Sequence, residues 1–225
     1  MIRFVGISKT YPSGNIALKD INLSIADGEF VFLIGSSGAG KTTLLRLLDR
    51  ELAPTSGHVY IDDVNISSLS KNRVYEFRRK MGFVFQDFKL LSDRTAAENI
   101  GVVLEIMGRN RGEIEKKVKE TLQFVGLTDK MDYFPVQLSL GEQQRVAIAR
   151  AIIGGAKILL TDEPTGNLDP KTSWEILKII SDINKSGTTV IMATHNADIV
   201  NSMRKRVITL KKGEVIKDEK KSRYG

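Results

Sequence analysis

The chain contains no cysteine. That excludes disulfides, thiolate nucleophiles and thiolate metal sites, and it suits a reducing compartment. No apolar run approaches the about 18 residues needed to span a bilayer. The opening stretch Met1–Val5 reads as a strand and carries no signal-peptide pattern. Membrane association is therefore expected only through a partner or the protein surface. Internal repeats, low-complexity segments and long coiled coils are also missing. What remains is ordinary for a soluble globular protein: 225 residues, 41% hydrophobic and 27% charged. That length suits one domain or a two-lobed one with a sizeable core. Lys and Arg number 34 against 27 Asp and Glu, a net charge of +7. The basic residues are mostly dispersed, with clusters at Arg78-Arg79-Lys80, at Arg204-Lys205-Arg206 and in the Lys211–Arg223 tail. The tail also holds Glu214, Asp218 and Glu219. This reads as a solvated basic face or one attracted to anionic headgroups, and no nucleic-acid partner is expected.

The most informative stretch is Gly35-Ser36-Ser37-Gly38-Ala39-Gly40-Lys41-Thr42, a full match to the phosphate-loop pattern. It follows a buried-strand pattern, Phe30–Ile34. It precedes helical spacing over Thr42–Leu52, with Leu44, Leu45, Leu47 and Leu48 on a buried face. Strand, glycine loop and helix wrap backbone N–H groups around a phosphate chain, and the helix N-terminus favours the anion. Lys41 is expected to reach the β- and γ-phosphates, and the Thr42 hydroxyl to ligate Mg²⁺. Thr43 follows at the same helix start.

Around this loop the chain reads as strands first. Tyr11–Asn15 is a turn signal, and Asp27-Gly28 reads as a hairpin between Ile21–Ile25 and Phe30–Ile34. Short strands are expected at Val59–Ile61 and Met81–Phe85. From about residue 87 to 156 the apolar spacing becomes helical. Ile114, Val118, Leu122 and Val125 share a face, and Gly126 is placed to end that helix. Strands return at 157–162, 188–193 and 207–210, with a helix over 170–184 opened by Pro170. The expected class is α/β: a core over about 1–86 and 157–225, with an antiparallel β subdomain and an α-helical subdomain inserted at about 87–156.

The strand Ile158–Thr161 ends in Asp162-Glu163. Beside a phosphate loop, Asp162 is expected on the Mg²⁺ side and Glu163 as the base that polarises the attacking water. Thr161 is unusual in a buried strand, and its hydroxyl is expected to be satisfied locally. Trp174, at helical spacing with Leu177, reads as core packing.

Leu138-Ser139-Leu140-Gly141-Glu142-Gln143-Gln144-Arg145 precedes an expected apolar-rich helix, Val146–Ile153, and closely resembles the signature motif of ATP-binding cassette ATPases. Other motifs follow in family order: Gln86 as the Q-loop glutamine, Gly166–Asp169 as the D-loop, His195 as the switch histidine, Tyr11 as the aromatic that stacks on adenine. The resemblance covers essentially the whole chain. It implies a P-loop NTPase (RecA-like) core, ATP and Mg²⁺, and a head-to-tail homodimer closed by ATP. It also implies a membrane-embedded permease partner that keeps the chain on the cytoplasmic face of the membrane. Gln86 would join Thr42 and Asp162 around the metal. His195 would bridge the γ-phosphate and the water. Ser139 and Gly141 of one copy would complete the site of the other, and Asp169 would serve as the D-loop carboxylate, a role compatible with capping the helix that follows it. Leu140 departs from the family, which has glycine there, and is expected to weaken dimer closure. Phe85–Leu91, Thr10–Gly14, Gly28–Leu33 and Arg94–Asn99 resemble the branch that serves bacterial cell division. The lipoprotein-release and macrolide- or peptide-efflux branches share the general frame. Phe88, Leu90 and Leu91 either meet the membrane partner or pack inside the helical insert.

Overall fold

A computed structural model describes residues 1–220, apart from the Lys71 side chain. The end of the basic tail, and the last few residues expected to be disordered, lie outside the described residues. Along the chain run β1 (Ile2–Thr10), β2 (Ile16–Ile25), β3 (Phe30–Ile34), α1 (Lys41–Leu48), β4 (Ser56–Ile61), β5 (Val64–Asn65) and α2 (Lys71–Arg78). Then come β6 (Met81–Val84), α3 (Ala96–Ile106), α4 (Arg111–Phe124), α5 (Leu140–Ile152), β7 (Ile158–Asp162) and α6 (Pro170–Lys185). The last elements are β8 (Thr189–Ala193), α7 (Ala197–Met203), β9 (Arg206–Lys211) and β10 (Glu214–Glu219). The chain divides into two compact units, Met1–Arg78 with Gly187 onward, and Arg79–Ser186.

In the first unit β2, β1, β4 and β5 form an antiparallel sheet, with Ile2 opposite both Ile25 and Ile61. β3 lies between β8 and β9, parallel to both, with Leu33 opposite Ala193 and Ile208. All five residues of β3 are buried, as a strand with parallel neighbours on both sides requires. The Asp27-Gly28 turn therefore does not close a hairpin. It carries the chain from the antiparallel sheet, where β2 pairs with β1, to the parallel strands. α1 buries Leu44, Leu45, Leu47 and Leu48, each contributing about 1.5–3 kcal/mol. It stops at Asp49, short of the expected end, where Arg50 turns left-handed (φ 59°). Arg206, at the start of β9, ties that strand to β10 through a pair of 2.7 Å bonds to Asp218 and to Glu29 through contacts of 2.9 and 3.1 Å.

In the second unit β6 and β7 run parallel, with Val84 opposite Thr161. Residues 96–152 hold α3, α4 and α5 around an apolar cluster that includes Ile100, Leu104, Val118, Leu122, Val146 and Ala149. Thr95 and Glu98 form a capping box at the start of α3. Gly126, in the left-handed region (φ 71°), ends α4 as its position predicts. Trp174 is half exposed while Leu177 is buried, so the tryptophan is not core packing.

Candidate functional site

Residues of the phosphate-loop pattern lie in the first unit. Gly35–Gly40 bridges β3 and α1, and Gly40 is the N-cap of α1 in the left-handed conformation (φ 108°). No side chain caps this helix, so the N–H groups of its first turn are left for an anion. The glycines are required by crowding as well as by conformation. A side chain at Gly40 would meet the Ala17 carbonyl at 2.6 Å and Leu18 at 2.7 Å. One at Gly35 would run into the Leu210 carbonyl. Lys41 is buried, and its ammonium donates to the carbonyls of Gly35 (2.8 Å) and Ser36 (3.3 Å), so it is curled into the loop. Ser36, Ser37, Gly38 and Thr42 are exposed, and Ala39 is buried. Half-buried Tyr11 shares a 3.2 Å hydrogen bond with the Thr43 hydroxyl, and the Lys9 ammonium lies 5.7 Å from its ring centre. His195 is exposed just beyond β8. Thr194 donates to the Leu33 carbonyl at 3.1 Å, so His195 leaves the sheet beside the strand that feeds the loop.

The second unit holds the carboxylates. Asp162 is the last residue of β7, and Glu163 has φ 49°. A left-handed glutamate is strained and needs its surroundings to hold it there. The Glu163 carbonyl accepts from Gly166 N–H at 3.1 Å. Gln86 follows β6 as Glu163 follows β7. The space beside Gly166 is bounded by Glu163 Cβ (3.7 Å) and Gln86 Nε2 (3.9 Å) from where a Cβ would sit. The parallel strand ends thus bring Gln86 and Glu163 together. The Thr161 hydroxyl is buried with no partner among the described residues, contrary to the expected local hydrogen bond.

Ser139 caps α5: its Oγ accepts from Glu142 N–H at 3.3 Å, and Glu142 answers to Ser139 N–H at 2.8 Å. The Ser139 hydroxyl proton is therefore still free to be donated. Leu140 is 49% exposed, while Gly141 is buried beside Thr172 of α6. Asp169 caps α6, accepting from Thr172 N–H at 3.1 Å and from its hydroxyl at 2.5 Å. These bonds, the hydroxyl's first, hold the Asp169 carboxyl below its usual range. Leu90 packs on the helical cluster, whereas Leu91 is exposed.

Three residues of this region carried no sequence signal of their own. Thr172 could have been read only as the third residue after an N-cap aspartate. Arg150 gains its role from the carbonyls of Phe88 and Lys89, far along the chain, and Lys9 from the Tyr11 ring two residues on. Among the described residues no cluster of three or more His, Asp or Glu could hold a metal alone. A Mg²⁺ ion would need phosphate and water oxygens beside its protein ligands, which is its habit. No helix among the described residues is long and apolar enough to cross a membrane.

A strand-fed glycine loop with an uncapped helix start, and carboxylates at the end of a parallel strand, define a nucleotide-hydrolysing P-loop cassette. The family described as ABC transporter matches residues 18–166, and the chain belongs to that family and is an ATPase. It is similar to the cell division ATP-binding protein FtsE of Bacillus subtilis, 47% identical over 225 residues that cover 100% of this chain and 99% of that one. It is also similar to the methionine import ATP-binding protein MetN of Vibrio vulnificus, 44% identical over 220 residues, 96% of this chain and 64% of that one. Among solved structures, a dimeric ATP-binding cassette in a post-hydrolysis state with ADP and Pi matches at a TM-score of 0.91. It is 38% identical, with 100% of both chains covered.

Proposed function

We propose that this ATPase is the FtsE-like subunit of a cell-division complex. ATP closes a head-to-tail homodimer, and the motion passes to a membrane partner of the FtsX type that regulates peptidoglycan hydrolysis. The chain then works at the cytoplasmic face of the membrane through that partner. The observation that carries this reading is the 47% identity to FtsE over essentially the whole of both chains.

The roles follow from the chemistry of each residue. Lys41 gives up the Gly35 and Ser36 carbonyls for the β- and γ-phosphates, and the N–H groups from Ser36 to Thr43 surround the phosphate chain. Tyr11 presents its ring to adenine. Mg²⁺ would supply charge neutralisation at the phosphates, and Thr42, Gln86 and Asp162 would hold it. Glu163 accepts a proton from the attacking water, and His195 orients that water against the γ-phosphate. Ser139 donates its hydroxyl, and Gly141 its N–H, to the γ-phosphate of the second copy, with Asp169 beside them. Leu91 and Phe88 face the membrane partner.

Co-purification tests the assignment to this complex. The tagged chain, solubilised from its native membrane, should carry along one small protein with about four spans, each of about 20 residues, and a large extracytoplasmic loop. Recovery of a large substrate permease instead would favour an import role like that in the name of MetN, which is 44% identical.

A further inference from the structure

The starts of α5 and α6 are joined through Thr172. Its hydroxyl and its N–H both donate to Asp169. Its methyl faces Gly141, where an added Cβ would run into Cγ2, while Thr172 Cβ and Oγ1 would stand off at 3.7 and 3.9 Å. One turn further along, Arg145 and Glu175 form an ion pair between the same two helices. The missing side chain at 141 is thus filled space: α6 occupies it. The Thr172 methyl cannot swing aside without moving the hydroxyl off Asp169, because both branch from one Cβ and share one χ1.

We propose that Thr172 is a positioning residue that fixes the Ser139–Gly141 turn against the Asp169 segment, so that the two move as one piece. This rests on the reading above, in which Ser139, Gly141 and Asp169 serve ATP hydrolysis. Gly141 is then a glycine because of Thr172 and not only because a phosphate must approach it. Removing the methyl should make room for a side chain at 141, and removing the hydroxyl should release Asp169.

The test is steady-state ATP hydrolysis by the full chain in four variants, each with its melting temperature. Gly141→Ala should lower kcat about tenfold or more while the KM for ATP stays within about twofold, as expected of misplacement rather than lost binding. Thr172→Val keeps the shape and loses the hydroxyl, and should fall similarly. Thr172→Ser keeps the hydroxyl and should retain most of the activity. The double variant Gly141→Ala/Thr172→Ser should recover to within about threefold of Thr172→Ser alone, a coupling that independent sites would not show. A double variant as slow as Gly141→Ala would overturn the proposal, as would Thr172→Val with the parent kcat. If Gly141→Ala fails to fold, Thr172→Val against Thr172→Ser decides, since both keep the glycine. Failure of the underlying reading looks different: the parent chain would not hydrolyse ATP, or Glu163→Gln would hydrolyse it at the parent rate.

Discussion

The guanidinium of Arg150, on the helix that begins beside Ser139, donates to the carbonyl oxygen of Phe88 at 2.7 Å. A second 2.7 Å bond reaches Lys89. Both receiving residues are left-handed, with φ 56° and 47°. An uncommon backbone of this kind persists when something outside the loop holds it. Burial lowers the Arg150 pKa, but a guanidinium stays charged, so both bonds are charge-assisted. Arg150→Met should lower stability by about 1–3 kcal/mol, through two lost charge-assisted bonds, of which the part-buried one to Phe88 counts more. It should also speed hydrogen exchange across residues 86–91 far more than across α4. Uniform loss of protection over the unit would count against a local clamp.

Glu163→Gln removes the proposed base and keeps the shape. ATP binding should persist, and turnover should drop about 10²–10⁴-fold. The left-handed backbone is unchanged by the substitution, so thermal melting should hardly move. Measuring bound ATP on the purified variant and phosphate release over the same interval separates the two effects. Undiminished turnover would remove Glu163 from the reaction.

The local parts of this fold were legible because their causes are local. The Gly35–Thr42 pattern specifies loop and helix start through glycine conformation, and Pro170 and Gly126 punctuate their helices. Pairing was less legible. Asp27-Gly28 has the chemistry of a hairpin turn, yet β3 pairs with Val190 and Val207, residues far along the chain. Burial on both faces of Phe30–Ile34 chose those partners, and a turn dipeptide carries no information about that. The half-exposed Trp174 and the unpartnered Thr161 hydroxyl are likewise facts of packing. α2 was missed because Lys71–Arg78 has little apolar periodicity. On the site, the resemblance gave Gly141 only a place in the motif that completes a second copy's site. Only the placement of Thr172 shows what fills the space beside it.

Asp49 closes α1 and is largely buried, which pushes its carboxyl up from 3.8 to about 6 despite Arg78, with Glu51 adding a smaller push. The Arg78 Nε is 3.9 Å from the carboxylate and donates to the Asp49 backbone carbonyl at 2.9 Å. The folded state therefore binds this proton more tightly than the unfolded chain, and stability contributed below about pH 4 is lost as pH rises toward about 6. Asp49→Asn removes the penalty. It should raise stability by about 1–2 kcal/mol at pH 7.5 and change little at pH 4. Thermal melts of both proteins at the two pH values measure this. An equal gain at both would place the effect in packing rather than charge.

Leu140 is the first residue of α5, and its side chain is half exposed. It touches no capping bond: Ser139 and Glu142 close the box on either side of it. At the first helical position a glycine forfeits less than the about 1 kcal/mol it costs in a helix interior. Leu140→Gly should therefore leave folding nearly intact. What it changes is the surface beside the Ser139 hydroxyl. On the proposed closure onto Ser139, the exposed isobutyl group of the next residue would obstruct a second copy, and removing it would open the approach. In a Glu163→Gln background, where turnover is expected to be slow, Leu140→Gly should raise the association constant of the ATP-dependent dimer by at least about tenfold, the equivalent of about 1.4 kcal/mol. Sedimentation with and without ATP reads this directly. An unchanged dimer fraction would mean that Leu140 lies outside the closing surface, or that it contributes as much contact area as it blocks. Either result would withdraw the weakening assigned to this departure from the family pattern.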